Sequence, residues 1–153
     1  IGVLNLMGNV FMKKCEDVFE TSKNFMEKYK LKDDYDFLIV DFHGEITSEK
    51  NAIGHFFDGK ATLVVGTHTH IQTADERILP EQTGFITDVG MTGPYNSILG
   101  MEISPILKRF KDQMPTRFSA VEKGEKILNA IVFTIDLDSG LTIKVNRVFN
   151  RYS

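Results

Sequence analysis

The sequence predicts an α/β fold, in which strands and helices alternate along a single domain. Two short apolar runs rich in β-branched residues, at 36–41 and 61–65, are typical of strands buried on both faces. An amphipathic segment at 48–58 separates them, so the three elements form a strand–helix–strand unit. The two strands are therefore expected to be parallel neighbours, joined by a right-handed crossover.

The first half of the chain contributes two further elements. Residues 1–6 have the pattern of a strand, and residues 16–29 repeat apolar side chains with the period of a helix. The helix at 48–58 is expected to use Thr47 or Ser48 as N-cap and to bury one apolar face. That face is formed by Ala52, Ile53, Phe56 and Phe57.

The second half is richer in turns. Between 69 and 100 only short strands are predicted, at 77–79 and 84–87. Ser104 and Pro105 have the residue types of an N-cap and a first helical position, so a helix should begin there. Its inward side chains would be Ile106, Leu107 and Phe110, with Pro115 closing it, and a β-hairpin that turns at Asp138-Ser139-Gly140 ends the chain.

Composition and charge narrow the functional classes. The 153 residues are 42% hydrophobic and 25% charged, as in an ordinary globular domain. The net charge of −3 comes with interspersed signs, which argues against binding of duplex nucleic acid. No apolar run reaches the ~20 residues of a membrane helix. The single cysteine excludes an internal disulfide, and a reducing, cytoplasmic setting is therefore expected. The strand at the first residue suggests a piece of a longer protein.

Three of the four histidines come just after predicted strands. His68 and His70 lie in Gly66-Thr67-His68-Thr69-His70, and in extended backbone residues two apart point to the same side. His43 follows the neighbouring strand, and open α/β sheets bind ligands at the carboxyl ends of their strands. Imidazole suits Zn, Fe, Mn or Ni ions, so the three histidines are candidate metal ligands.

Simpler interpretations of these residues stay open. His68 and His70 can also be loop histidines that bond to nearby backbone, and His55 is better explained as a surface residue of the 48–58 helix. Four carboxylates near the histidines are candidates for orienting a ligand ring: Asp41, Glu45, Asp75 and Asp88. Solvated loop positions are favoured for Glu45 and Asp75, and Asp41 can instead cap backbone amides.

Four strings of the sequence resemble a known family. They are Asp41-Phe42-His43-Gly44-Glu45, Thr47-Ser48-Glu49-Lys50, Val65 to Asp75, and Thr87 to Tyr95. In order and spacing they are similar to the bacterial YmdB-type metallophosphoesterases of the calcineurin-like superfamily. The resemblance covers essentially the whole chain, and it corresponds to the C-terminal half of a fold in which mixed β-sheets are flanked by helices.

The resemblance implies a metal-dependent phosphodiesterase. Its substrates would be small phosphodiesters such as 2′,3′-cyclic nucleotides. The attacking group would be a hydroxide activated by two divalent or transition metal ions (Fe, Mn or Zn). His43 and His68 would bind one ion and His70 the other. The family's bridging glutamate and its general-acid histidine match nothing here and are expected upstream, so no catalytic residue is assigned within this chain.

Two other functions remain as alternatives. An amidohydrolase also places His-x-His at a strand end, but its (β/α)₈ barrel of ~250 residues needs more units than this chain shows. The second alternative is a metal-stabilised interaction or oligomerisation domain without catalysis. Each of these functions is compatible with homo-oligomerisation.

Overall fold

The computed structural model of the chain describes residues 1–153 as two β-sheets and three helices. The helices are α1 Val18–Lys28, α2 Thr47–Phe56 and α3 Ile103–Asp112. The strands are β1 Gly2–Met7, β2 Leu38–His43, β3 Leu63–Thr67, β4 Arg77–Ile78, β5 Gly84–Ile86, β6 Gly93–Pro94, β7 Lys126–Ile135 and β8 Thr142–Tyr152. The predicted α/β class is confirmed.

The first sheet has the order β1-β2-β3-β5-β4. Its first four strands run parallel, and only β4 is antiparallel to its neighbour. The expected parallel pairing of β2 with β3 is confirmed, with His43 opposite Thr67 at the carboxyl end. The second sheet is antiparallel, in the order β6-β7-β8.

Each face of the first sheet is covered, which explains its unbroken apolar runs. On one face, Leu38, Val40 and Phe42 pack with side chains of α1 and α2 in the main core. On the other face, a smaller cluster brings β3 and β5 against the hairpin β7–β8. Thr142 joins the two sheets, because its hydroxyl donates to the Thr62 carbonyl at 2.6 Å. This open, layered arrangement differs from the closed barrel that an amidohydrolase would require.

Several local predictions about the helices are wrong. α2 uses Ile46 as N-cap, with no side-chain hydrogen bond, and Ala52 is exposed. α3 uses Glu102 as N-cap rather than Ser104. It ends at Asp112, because the C-cap residue Gln113 has a left-handed φ of 56° that stops the helix before Pro115. Ile106 is buried as expected, but Leu107 and Phe110 are exposed.

No helix of the structure has the length and apolar character of a membrane span.

Candidate functional site

His43 and His68 meet at the carboxyl edge of the parallel sheet. His43 is the last residue of β2, and His68 follows β3 directly. Their rings are nearly perpendicular, with centroids 4.7 Å apart. The Nδ1 of His68 lies 3.0 Å from the Nε2 of His43. The expected convergence of these two histidines across the parallel pair is therefore present.

A chain of hydrogen bonds sets the tautomer of His43. The Thr67 hydroxyl donates to the Asp41 carboxylate at 3.0 Å, and Asp41 also accepts from the Asn5 amide at 2.9 Å. The Nδ1 of His43 lies 3.1 Å from the same hydroxyl oxygen, whose proton is already directed to Asp41. The His43 Nδ1 must then carry a proton, and in neutral imidazole its Nε2 presents a lone pair towards His68.

Glu45 fixes the tautomer of His68 in a similar way. Its carboxylate lies 2.8 Å from the Nε2 of His68, so this nitrogen acts as a donor. The prediction that Glu45 is merely solvated is therefore wrong, although its side chain is half-exposed. A neutral His68 with a proton on Nε2 has its lone pair on Nδ1, the nitrogen that faces His43.

The two neutral rings thus direct lone pairs at each other. Two lone pairs at 3.0 Å repel unless a proton or a cation lies between them. Imidazole nitrogens with outer hydrogen-bond partners are typical ligands of transition metals. A ring-to-ring hydrogen bond satisfies this contact with a proton, and one metal ion bound by both nitrogens would satisfy it as well.

His70 does not join this pair. His68 and His70 have φ angles of 108° and 67°, so they lie beyond the strand in left-handed backbone. The rule that strand residues two apart share a side therefore does not apply to them. The His70 side chain is exposed and makes no hydrogen bond within the chain, and no group of three or more His, Cys, Asp or Glu side chains forms a metal-ligand cluster.

Thr69, between the two histidines, is fixed by a buried ion pair. The Asp88 carboxylate accepts from the Thr69 amide at 3.0 Å and from its hydroxyl at 2.7 Å. The Lys50 ammonium donates to the same carboxylate at 2.6 Å, and both side chains are 1% exposed. A fourth donor, the Gly90 amide, lies 2.9 Å from the other carboxylate oxygen of Asp88. Asp88 therefore anchors the histidine loop rather than orienting a histidine.

These contacts also change the acidity of Asp88. Burial alone would raise the pKa of its carboxyl group, but the hydrogen bonds from Lys50, Thr69 and Gly90 outweigh it. The pKa therefore lies below its ordinary value. The charged carboxylate is consequently the form that holds the loop.

Asp75 behaves similarly, and its predicted role as a solvated carboxylate is wrong. Burial raises its pKa, but hydrogen bonds from Thr73 and Thr87, together with the charge of Arg77, lower it overall. The contacts of Asp75 connect the segment after the histidines to the end of β5. Asp41, the last of the four carboxylates, contacts side chains rather than backbone amides.

Gly66 allows the histidine loop to approach the segment after β5. A Cβ atom at Gly66 would lie 1.6 Å from the carbonyl oxygen of Thr87, so no side chain fits there. The Gly66 carbonyl accepts from the Val89 amide at 2.9 Å. The glycine of the Gly-x-His-x-His string is therefore required by packing next to Asp88.

Sequence reasoning missed the two residues that organise this site, Lys50 and Thr67. A signal for Lys50 was available, because it lies three and seven positions before Ile53 and Phe57 on the buried face of α2. Thr67 had no signal of its own. Its role depends on the register that places it opposite His43.

Comparison with known proteins agrees with this architecture. A family model described as YmdB-like protein matches residues 1–148. The chain is 46% identical over 148 residues to a 2′,3′-cyclic-nucleotide 2′-phosphodiesterase of Bacillus subtilis, covering 97% of this chain and 55% of the relative. It is 39% identical over 133 residues to a putative phosphatase/phosphodiesterase of Mycoplasma pneumoniae, covering 85% of this chain and 47% of the relative.

Two solved structures share the fold. One is a hypothetical protein from Thermus thermophilus, with a TM-score of 0.89, 35% identity, and coverage of 99% of this chain and 57% of that one. The other is a phosphatase from Mycoplasma pneumoniae, with a TM-score of 0.87, 36% identity, and coverage of 97% and 52%. This chain spans about half the length of these relatives. The match over almost every residue shows that the chain belongs to the YmdB-like family.

Proposed function

We propose that the protein carrying this chain is a metal-dependent phosphoesterase that hydrolyses small phosphodiesters, 2′,3′-cyclic nucleotides among them. The observation that carries the proposal is the facing pair His43 and His68, whose inner nitrogens lie 3.0 Å apart while their outer nitrogens contact Thr67 and Glu45. The B. subtilis relative is named for activity on 2′,3′-cyclic nucleotides, which supports this substrate class.

Three histidines of the chain would hold metal. His43 and His68 would bind one ion, and the exposed His70 would bind a second, with Fe, Mn or Zn as the suitable elements. Two bound ions activate water and bind phosphate oxygens in hydrolases of this type. The bridging glutamate and the general-acid histidine that the resemblance implies would come from outside these 153 residues.

The chain's own residues would orient the ligands and hold their protons. Thr67 and Asp41 keep the proton of His43 on Nδ1, and Glu45 keeps that of His68 on Nε2. Asp88 and Lys50 fix the backbone between His68 and His70. Because each histidine must be neutral to bind metal, metal binding should weaken as the pH falls.

Metal content and hydrolysis of bis-p-nitrophenyl phosphate test this function in the full-length protein. His68→Ala and His70→Ala should each lose bound metal and metal-dependent turnover. His55→Ala is the matched control, because His55 is exposed on α2 and away from the paired rings. Unchanged metal content and turnover in His68→Ala would contradict the proposal. A wild-type protein that binds no metal and has no turnover would also contradict it.

A further inference from the structure

A cavity of about 240 Å³ lies beside His70. Its walls come from the 70–72 segment, the 91–99 loop and the two strands of the hairpin β7–β8. Pockets for drug-sized ligands measure about 300–1,000 Å³, so this one has room for a single ring system rather than a whole nucleotide. Its position places any occupant next to the second proposed metal ligand.

The amide donors that line the cavity are already engaged, whereas the Gln72 Oε1 and Asn129 Oδ1 acceptors are buried without a partner. The Gln72 amide donates to the Ala130 and Val148 carbonyls at 3.2 and 3.1 Å. The Asn129 amide donates to the Met91 carbonyl at 2.7 Å. Arg147 faces Glu76 at 3.4 Å, so its positive charge is balanced within the chain. The cavity therefore offers no free cation or amide donor to a phosphate group.

Its apolar walls, in contrast, remain partly open to solvent. Tyr95, Leu99 and Phe149 are 39%, 44% and 50% exposed. The guanidinium of Arg151 lies 4.0 Å from the centroid of the Tyr95 ring. Two hydrogen bonds of 2.7 Å fix Arg151 to Glu125, so the Tyr95 ring is held in place. An aromatic surface held this way suits a planar apolar ligand.

We infer that this cavity binds the nucleobase of a nucleotide phosphodiester whose phosphate lies at the histidines. The inference rests on the proposed function, because it assigns the base of that substrate to a defined site. Contact with Tyr95, Leu99 and Phe149 would be by stacking and apolar packing, since the amide donors of Gln72 and Asn129 are engaged. Stacking accepts any base, so the site should discriminate weakly among the four.

The test compares two substrates in the full-length protein. One is 2′,3′-cyclic AMP, and the other is methyl riboside 2′,3′-cyclic phosphate, which has the same sugar and phosphate but no base. Loss of one stacking contact weakens binding by about five-fold or more. Phe149→Ala should raise KM for cyclic AMP by that factor, and Leu99→Ala, which removes only apolar packing, should raise it by less. Both should leave KM for the base-free substrate unchanged.

Two further variants separate base recognition from a structural effect. Phe149→Tyr keeps an aromatic ring and should retain the wild-type ratio of the two KM values, for cyclic AMP and for the base-free substrate. Phe110→Ala removes an exposed ring on α3, outside the cavity, and should leave KM unchanged for both substrates. Equal changes for both substrates in Phe149→Ala and Leu99→Ala would overturn the inference, as would equal wild-type KM values. A preference of about 10⁴-fold for one base would also overturn it, because that size is typical of hydrogen-bonded recognition.

Binding of adenosine, which carries no phosphate, separates this inference from the proposed function. Saturation-transfer NMR on metal-free protein should detect adenosine on the wild type and a weaker signal on Phe149→Ala. Hydrolysis of bis-p-nitrophenyl phosphate without adenosine binding would overturn the base site alone. Adenosine binding that depends on Phe149, without any hydrolysis, would support the site and contradict the phosphoesterase.

Discussion

His68 and His70 are two residues apart in one loop, yet their surroundings differ sharply. His68 contacts His43 on one side and Glu45 on the other, so both ring nitrogens have partners. His70 is exposed and has no side-chain partner within the chain. Thr69 separates them and is held by Asp88. The chain therefore orients one proposed ligand pair in advance and leaves the third ligand open towards the cavity beside it.

The largest expected effect comes from removing the anchor that the two histidines share. Asp88→Ala would leave Lys50 buried and unpaired, and breaking such a pair costs about 3–5 kcal/mol. Chemical unfolding should show this loss of stability. The double variant Lys50→Met/Asp88→Leu removes both charges and should be less destabilised than Asp88→Ala. A loss below about 1 kcal/mol in Asp88→Ala would show that the pair does not anchor the loop.

Acid should weaken the same anchor less than the mutation does, because a protonated carboxyl group can still accept hydrogen bonds. The pKa values of Asp88 and Asp75 are lowered in the folded protein from an ordinary value of 3.8. Their contribution to stability is therefore present above pH 3.8 and is lost as the pH falls through the folded pKa. Unfolding of metal-free protein across this range measures the loss. Asp88→Asn should have a shallower dependence, and an unchanged slope would contradict the assignment.

A smaller effect should come from removing the outer partner of His43, which belongs to the paired histidines and not to His70. Thr67→Val removes the oxygen that accepts from His43 Nδ1, so the ring loses the partner that fixes its tautomer. Loss of such an outer partner typically weakens metal binding by about 10–100-fold. Competition with a chelator measures the affinity, and Thr67→Ser, which keeps the hydroxyl, is the control. Equal metal affinity in Thr67→Val and the wild type would mean that the Thr67 hydroxyl does not orient His43.

The smallest effect is expected at the outer edge of the pair. Glu45→Gln keeps an oxygen that can accept from His68 but removes the charge. Because the two side chains are partly exposed, this charge should contribute at most about 1 kcal/mol to stability. Thermal unfolding of the metal-free protein is the measurement. A larger loss would place the His68–Glu45 contact among the main supports of the site.

Much of the fold was predictable because its signals are local. The apolar runs at 36–41 and 61–65 and the intervening amphipathic segment predicted adjacent parallel strands, and β2 and β3 have that arrangement. Parallel pairing then predicted the meeting of His43 with His68. Helix ends were predicted less well, because Ser104 resembles an N-cap but α3 begins at Ile103.

The sequence alone was sufficient for the α/β class, the strand-end histidines and the likeness to the YmdB-type family, since periodicity and short motifs are properties of neighbouring residues. Only the tertiary structure decided which partners those histidines have. The contacts of Thr67 with His43 and of Lys50 with Asp88 join residues 24 and 38 positions apart. Such pairs arise from sheet register and helix packing. The exposed position of His70 likewise follows from the left-handed backbone after β3.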